Sequence, residues 1–236
     1  MRHSTLPRVK HIGIVACSAE GAALCYREIC QQGIELVGQH DHPRVTLDSI
    51  PLARWMPAFD AGDHEGVAAV MLESVRLLAG AGAELAICPD NSAHVAFTWV
   101  EADSPIPWLH IGRVVADQAR RDGFRRVGVL GTRFITSGPV YPEALGAVGI
   151  EAVSPDAADA AIVDRIIFDE LVAGVFSDES RRAYQAVIER LADRGCDAVA
   201  LACTEIPLLI APADSSLPTL DSTRLLATAA LVAATR

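Results

Sequence analysis

The chain states one pattern twice. Gly82-Ala83-Glu84-Leu85-Ala86-Ile87-Cys88-Pro89-Asp90-Asn91-Ser92 reads as a glycine, an apolar strand and a polar cluster. Gly195-Cys196-Asp197-Ala198-Val199-Ala200-Leu201-Ala202-Cys203-Thr204-Glu205 reads the same way, and with Gly82 set on Gly195, Asp90 falls on Cys203. Helical periodicity precedes each copy, with apolar residues three and four apart at Val70, Leu72, Val75, Leu77 and Leu78, and at Ala183, Val187, Ile188 and Leu191. These place helices over 67–81 and 180–194, each stopped by the glycine that follows. Short apolar strands open the two halves at 12–16 and 127–131. Alternation of strand and helix with long crossovers predicts an α/β fold with mostly parallel sheets.

The duplication predicts two pseudo-symmetric lobes, each a mostly parallel sheet flanked by helices, with an active site in the cleft between them. Residues 1–110 form the expected first lobe, with 211–236 packing back on it as an Ala-rich apolar helix, and 111–210 the second. Ser104-Pro105-Ile106-Pro107 breaks the pattern near the junction. Ligands of open α/β sheets bind just outside the carboxyl ends of strands. Two such ends, face to face, would offer one proton-transfer group to each side of a small molecule, and Asp90 and Cys203 are the candidates.

Several function classes fall away. No apolar run approaches the roughly 20 residues that span a bilayer, and no apolar core precedes Pro7 to make a secretory signal. The net charge of −10 argues against nucleic acid; Arg120, Arg121, Arg125 and Arg126 read as a solvated face. Six scattered cysteines without a C-x-x-C pair read as reduced thiols of a cytoplasmic protein, with no metal site. The only lysine, Lys10, sits at the amino end of the first strand, the wrong end for a pyridoxal phosphate Schiff base. No phosphate-binding loop is present, and Ala16-Cys17-Ser18-Ala19-Glu20-Gly21 lacks G-x-G-x-x-G, so no nucleotide cofactor is expected.

The candidate residues each admit a plain reading beside the functional one. Cys203 is either a small buried hydrophobe or a thiol tuned by Thr204 and nearby amides at the strand end. Asp90 is either a turn or capping residue or a general acid/base whose pKa burial raises. His94 either orients a polar group or merely begins the next helix. Thr132 and Thr136 follow the strand at 127–131, where hydroxyls and free amides suit a carboxylate. Arg44 is either a surface residue or a bidentate carboxylate partner. Asn91, Ser92, Thr204, Glu205 and Ser18 complete the candidate substrate-binding set, and Cys17 stands where it lines the same pocket.

These residues resemble the aspartate/glutamate racemase superfamily. Pro89-Asp90-Asn91-Ser92-Ala93-His94 is similar to its first-lobe cysteine motif, and Ala202-Cys203-Thr204-Glu205 to its second-lobe G-C-T-E. Further similarity lies in Ile106-Pro107-Trp108-Leu109-His110-Ile111, in Val127-Gly128-Val129-Leu130-Gly131-Thr132 and in Ile166-Ile167-Phe168-Asp169-Glu170-Leu171, so it covers most of the chain. The resemblance implies an enzyme without cofactor, an amino-acid racemase or epimerase acting on a small carboxylate such as aspartate or glutamate, and a homodimer or higher homo-oligomer. Two departures stand out: Asp90 replaces the first cysteine, and Ala16-Cys17-Ser18 replaces a glycine pair. With unequal groups on the two faces, and Asp90 able only to donate if held protonated, exchange is expected to be faster from one enantiomer. The alternative is a lyase, decarboxylase or cis-trans isomerase with Cys203 as the single catalytic thiol. A third reading is a catalytically silent small-acid binding protein.

Overall fold

A computed structural model describes residues 9–236; the N-terminal segment read above for a secretory signal lies outside the described residues. The first half runs β1 (Ile12–Ala16), α1 (Ala19–Val37), β2 (Val45–Ser49), α2 (Met56–Ala61), α3 (His64–Gly80), β3 (Leu85–Ile87), α4 (Phe97–Asp103) and β4 (Trp108–Leu109). The second runs α5 (Ile111–Asp122), β5 (Arg126–Leu130), α6 (Arg133–Thr136), α7 (Val140–Gly146), β6 (Glu151–Val153), α8 (Ala157–Asp169), α9 (Asp178–Asp193), β7 (Ala198–Leu201), α10 (Ile206–Leu209), β8 (Thr219–Asp221) and α11 (Ser222–Ala234). Two four-stranded sheets result, ordered β2-β1-β3-β4 and β6-β5-β7-β8, and every strand pair is parallel. The two orders are one topology written twice.

The repeat is visible down to single hydrogen bonds. The Asp63 side chain accepts the Gly66 N–H (2.9 Å) at the start of α3, and Ser177 accepts the Ser180 N–H (3.1 Å) at the start of α9. At the other ends, Gly82 (φ 93°) and Gly195 (φ 83°) take the left-handed conformation that ends a helix. Their N–H groups donate to Ala79 O (2.9 Å) and Ala192 O (2.8 Å), and the next N–H groups reach Leu78 O (3.0 Å) and Leu191 O (3.1 Å). Both are Schellman caps. Each then feeds its strand through the same bond: Glu84 N–H to His11 O (2.8 Å) and Asp197 N–H to Arg126 O (2.9 Å). Asp197 also accepts the backbone N–H groups of Arg125 and Arg126 with its carboxylate, so this part of the basic run serves a turn.

Each sheet is apolar on both faces, as parallel sheets are. In the first lobe Val67, Met71, Val75 and Leu78 of α3 cover one face, and Cys25 and Ile29 of α1 join Leu226, Ala227, Ala230 and Leu231 of α11 over Ile12, Ile14 and Ile87 on the other. The 211–236 tail therefore divides. α11 lies on the first lobe, but β8 pairs with β7 in the second sheet and buries Leu220 in that lobe's core, because the open edge of β7 needs a partner for its backbone groups. Lys10 closes the far end of α11, its ammonium donating to Ala233 O at 3.1 Å. Among the described residues no helix is long and apolar enough to cross a membrane.

Candidate active site

Four central strands, β1 and β3 in one lobe and β5 and β7 in the other, stop where the lobes meet. Cys17 and Ser18 follow β1, Asp90 to Ser92 follow β3, Thr132 follows β5, and Cys203 to Glu205 follow β7. Ser18, Asp90, Asn91, Ser92, Thr132, Cys203, Thr204 and Glu205 line one cleft. Eight of the ten catalytic and substrate-binding candidates are thus brought together by strand polarity alone; Cys17, expected in the same pocket, lines a neighbouring one with Ser18 and Glu205 instead.

The other two are not. Arg44 precedes β2 and is exposed; its strand is parallel to β1, so its amino end points away from the cleft. Thr136 lies in α6, where its N–H (2.9 Å) and hydroxyl (3.3 Å) both donate back to Thr132 O. That helical turn carries it out of the cleft, and Phe134 takes a place in the lining instead.

The polar wall also holds the lobes together. Asn91 receives the Tyr141 hydroxyl on Oδ1 (2.7 Å) and donates from Nδ2 to Ser222 Oγ (3.0 Å), which in turn donates to Leu201 O (2.8 Å). Its amide is therefore committed to positioning the two strand ends. Ser92 and Thr132 share a hydroxyl bond at 3.0 Å, and Ser18 and Thr204 one at 3.4 Å, each joining the lobes. Gly21 lets α1 approach this seam: a Cβ there would lie 2.2 Å from both Cβ and Oγ1 of Thr204. Gly21→Ala is expected to cost about 1–3 kcal/mol by overpacking, about 2–4 °C of Tm per kcal/mol. Thermal unfolding checks this against Gly80→Ala, which meets nothing within 4 Å; equal Tm values for the two variants would contradict it.

The protonation landscape is set by burial and by carboxylates. Cys203 is 7% exposed, and burial followed by the Glu205 charge pushes its thiol well above the ordinary range. The thiol donates to Glu205 Oε2 at 3.0 Å, as does the Thr204 hydroxyl at 2.9 Å. Glu205 Oε1 is buried and has no partner among the described residues. Burial also raises the Asp90 carboxyl, with the Ala93 N–H (2.9 Å) opposing the shift. Cys17 lies against Asp90, and burial, then that charge, raises its thiol. His94 is held near a pKa of about 4 by burial and is neutral; its Nδ1–H donates to Asp90 O at 2.8 Å. The ring thus ties the start of the next helical turn to the backbone of the Asp90 loop.

Facing the polar wall is one the sequence reading missed. Leu52, Met56 and Phe59 of the first lobe meet Phe134, Phe168 and Val172 of the second. Phe59 and Phe134 stack across the junction with ring centroids 5.3 Å apart. Nothing in their spacing separates them from ordinary core residues. Among the described residues no group of three or more His, Cys, Asp or Glu is placed to hold a metal ion.

Comparison with known proteins agrees with this fold. The family model for Asp/Glu/hydantoin racemases matches residues 10–230. A crystal structure of a Yersinia pestis protein assigned as an Asp/Glu racemase is 32% identical, covers 96% of this chain and 100% of its own, and superposes with a TM-score of 0.87. An aspartate racemase homologue of Pyrococcus horikoshii OT3 is 26% identical over 96% of this chain and all of its own, with a TM-score of 0.82. The broad specificity amino-acid racemase RacX of Bacillus subtilis is 23% identical over 203 residues, 85% of this chain and 86% of that protein.

Proposed function

The chain belongs to the Asp/Glu/hydantoin racemase family, isomerases of racemase type, and on that premise we propose that it is a cofactor-independent amino-acid racemase whose two faces are worked by Asp90 and Cys203. The observation that carries this is their equivalence: each ends the same strand of the repeat, and both line one cleft. A substrate Cα lies between them. The Asp90 carboxylate removes the α-proton, and the electron pair of the broken C–H bond passes into the substrate carboxyl as an enediolate. The Cys203 S–H then delivers its proton to the opposite face, leaving a thiolate. Solvent protons reset the pair, and the reverse reaction exchanges their roles.

Hydroxyls of Ser92, Thr132 and Thr204 and nearby amides hold the substrate carboxylate and stabilise the charge that develops on it. Glu205 Oε1, buried and unpartnered among the described residues, takes the substrate ammonium. Charge on Glu205 also keeps Cys203 in its thiol form, ready to donate. The only lysine donates to Ala233 O, away from the cleft, so no Schiff base is available there. The same reading takes the protein as cytoplasmic, supported by six unpaired thiols, and as a homo-oligomer, supported by exposed Tyr26, Ile34 and Leu36 on α1; sedimentation tests the latter.

The test is Cα–H exchange in deuterium oxide, followed by optical rotation. Chelator-treated, desalted protein should exchange and racemise at its full rate. A requirement for added metal or pyridoxal phosphate would remove the cofactor-free mechanism, and release of carbon dioxide would replace racemisation by decarboxylation.

A further inference from the structure

Resting on that reading of the cleft, we propose that the substrate is an amino acid with an apolar, aliphatic or aromatic side chain, and that the protein discriminates against aspartate and glutamate. The lining has two chemistries. Hydroxyls and carboxyls gather at the strand ends, where the Cα substituents common to all amino acids must sit. The remaining wall, from Met56 and Phe59 to Phe168 and Val172, offers only apolar surface to a side chain. Among the described residues no Lys, Arg or His lines the cleft.

The nearby cations are otherwise placed. Arg133 lies over the rings of Phe134 (4.4 Å) and Phe168 (5.1 Å) without entering the lining, and its charge is taken by Asp60 (3.0 Å) and Asp164 (3.2 Å). Arg44 stands at the amino end of β2. His94 is neutral and outside the lining. A side-chain carboxylate entering here would lose its water and gain no counter-charge, in a cleft that already holds the carboxyl groups of Asp90 and Glu205. A side chain such as that of leucine, methionine or phenylalanine instead covers apolar wall and brings no unpaired charge. The aromatic stack of Phe59 on Phe134 closes this wall across the two lobes, so the side chain is held by both.

The experiment compares Cα–H exchange of leucine, methionine and phenylalanine with that of aspartate and glutamate, both enantiomers, using the full chain. At least one apolar amino acid should show kcat/KM about tenfold or more above either acid, the scale on which apolar pockets discriminate. Equal or faster exchange of aspartate or glutamate would overturn the specificity and leave the racemase reading standing. Exchange of no amino acid would overturn the racemase reading. The specificity is then read from calorimetric binding of 4-methylpentanoate and 3-phenylpropanoate against glutarate and succinate. Tighter binding of a monoacid by about tenfold upholds it; equal or tighter binding of a diacid, or no binding of any, overturns it. Val172→Arg, at a partly exposed lining position that admits a long side chain, should move the ratio towards glutamate by a similar factor. A ratio unmoved in folded Val172→Arg protein would show that the side chain does not lie against this wall.

Discussion

Cys203→Ala is expected to reduce Cα–H exchange by about 10²–10⁴-fold, the contribution of a positioned acid/base group, with the fold intact. The thiol has no other partner in sight that duplicates its role: Cys17 lies against Asp90, at the end of β1, and Cys88 is fully buried just after β3. Structural damage should be small. Ala occupies the same backbone position, and Glu205 Oε2 keeps the Thr204 hydroxyl when the sulfur bond is lost. Cys203→Ser separates acid strength from hydrogen bonding, because a serine hydroxyl can still donate to Glu205 but is a far weaker acid than a thiol. It should be nearly as inactive as the alanine variant. Rates are read by loss of the α-proton signal in deuterium oxide, and folding by circular dichroism and Tm. Retention of more than about a tenth of the rate in either variant would take the thiol out of the mechanism.

The parts of this molecule that were legible in sequence are those fixed by short-range rules. The helix-glycine-strand unit states its own geometry: a left-handed glycine ends α3 and α9 alike, and the buried run after it can only be a strand. In a parallel sheet the residues just past such a run stand at the ligand-binding edge, so Ser18, Asp90, Thr132 and Cys203 converge without any contact being known in advance. Strand polarity would equally have excluded Arg44, which precedes its strand. Thr136 stays out of the cleft because four residues after Thr132 the chain has turned into helix, and one turn suffices to carry a side chain away. Asn91 reads as a ligand-binding amide in sequence, yet Tyr141 and Ser222, far along the chain, consume it. The apolar wall was hidden for a related reason: a leucine or phenylalanine facing a cleft and one facing a core obey the same periodicity. β8 escapes the sequence pattern because a three-residue strand preceded only by the single turn of α10 leaves almost no periodicity.

Asp90→Asn is expected to lower racemisation by about 10²-fold or more while leaving stability nearly unchanged, since the asparagine oxygen can still accept the Ala93 N–H that Asp90 accepts at 2.9 Å. The pH profile carries the mechanism. Burial raises the Asp90 carboxyl above the ordinary carboxylate range, and as a base it must be ionised, so activity rises with pH through that raised value. Burial and Glu205 raise the Cys203 thiol above its ordinary range, and as an acid it must stay protonated, so activity falls only as pH passes that value. Between the two limbs lies a wide plateau in which the ready state, ionised Asp90 opposite a Cys203 thiol, serves one enantiomer. The other enantiomer needs the scarce state with both protons moved. Enantiomers have equal free energy in water, so their kcat/KM values must agree; the asymmetry appears as unequal kcat values offset by unequal KM values. Asp90→Cys puts two thiols in the cleft, which should bring the two kcat values together and carry the acid limb up into the thiol range, because the base is now a thiolate. Asp90→Asn protein that keeps wild-type rates and the same acid limb would reduce Asp90 to a cap on the Ala93 amide and hand the base on that face to another group.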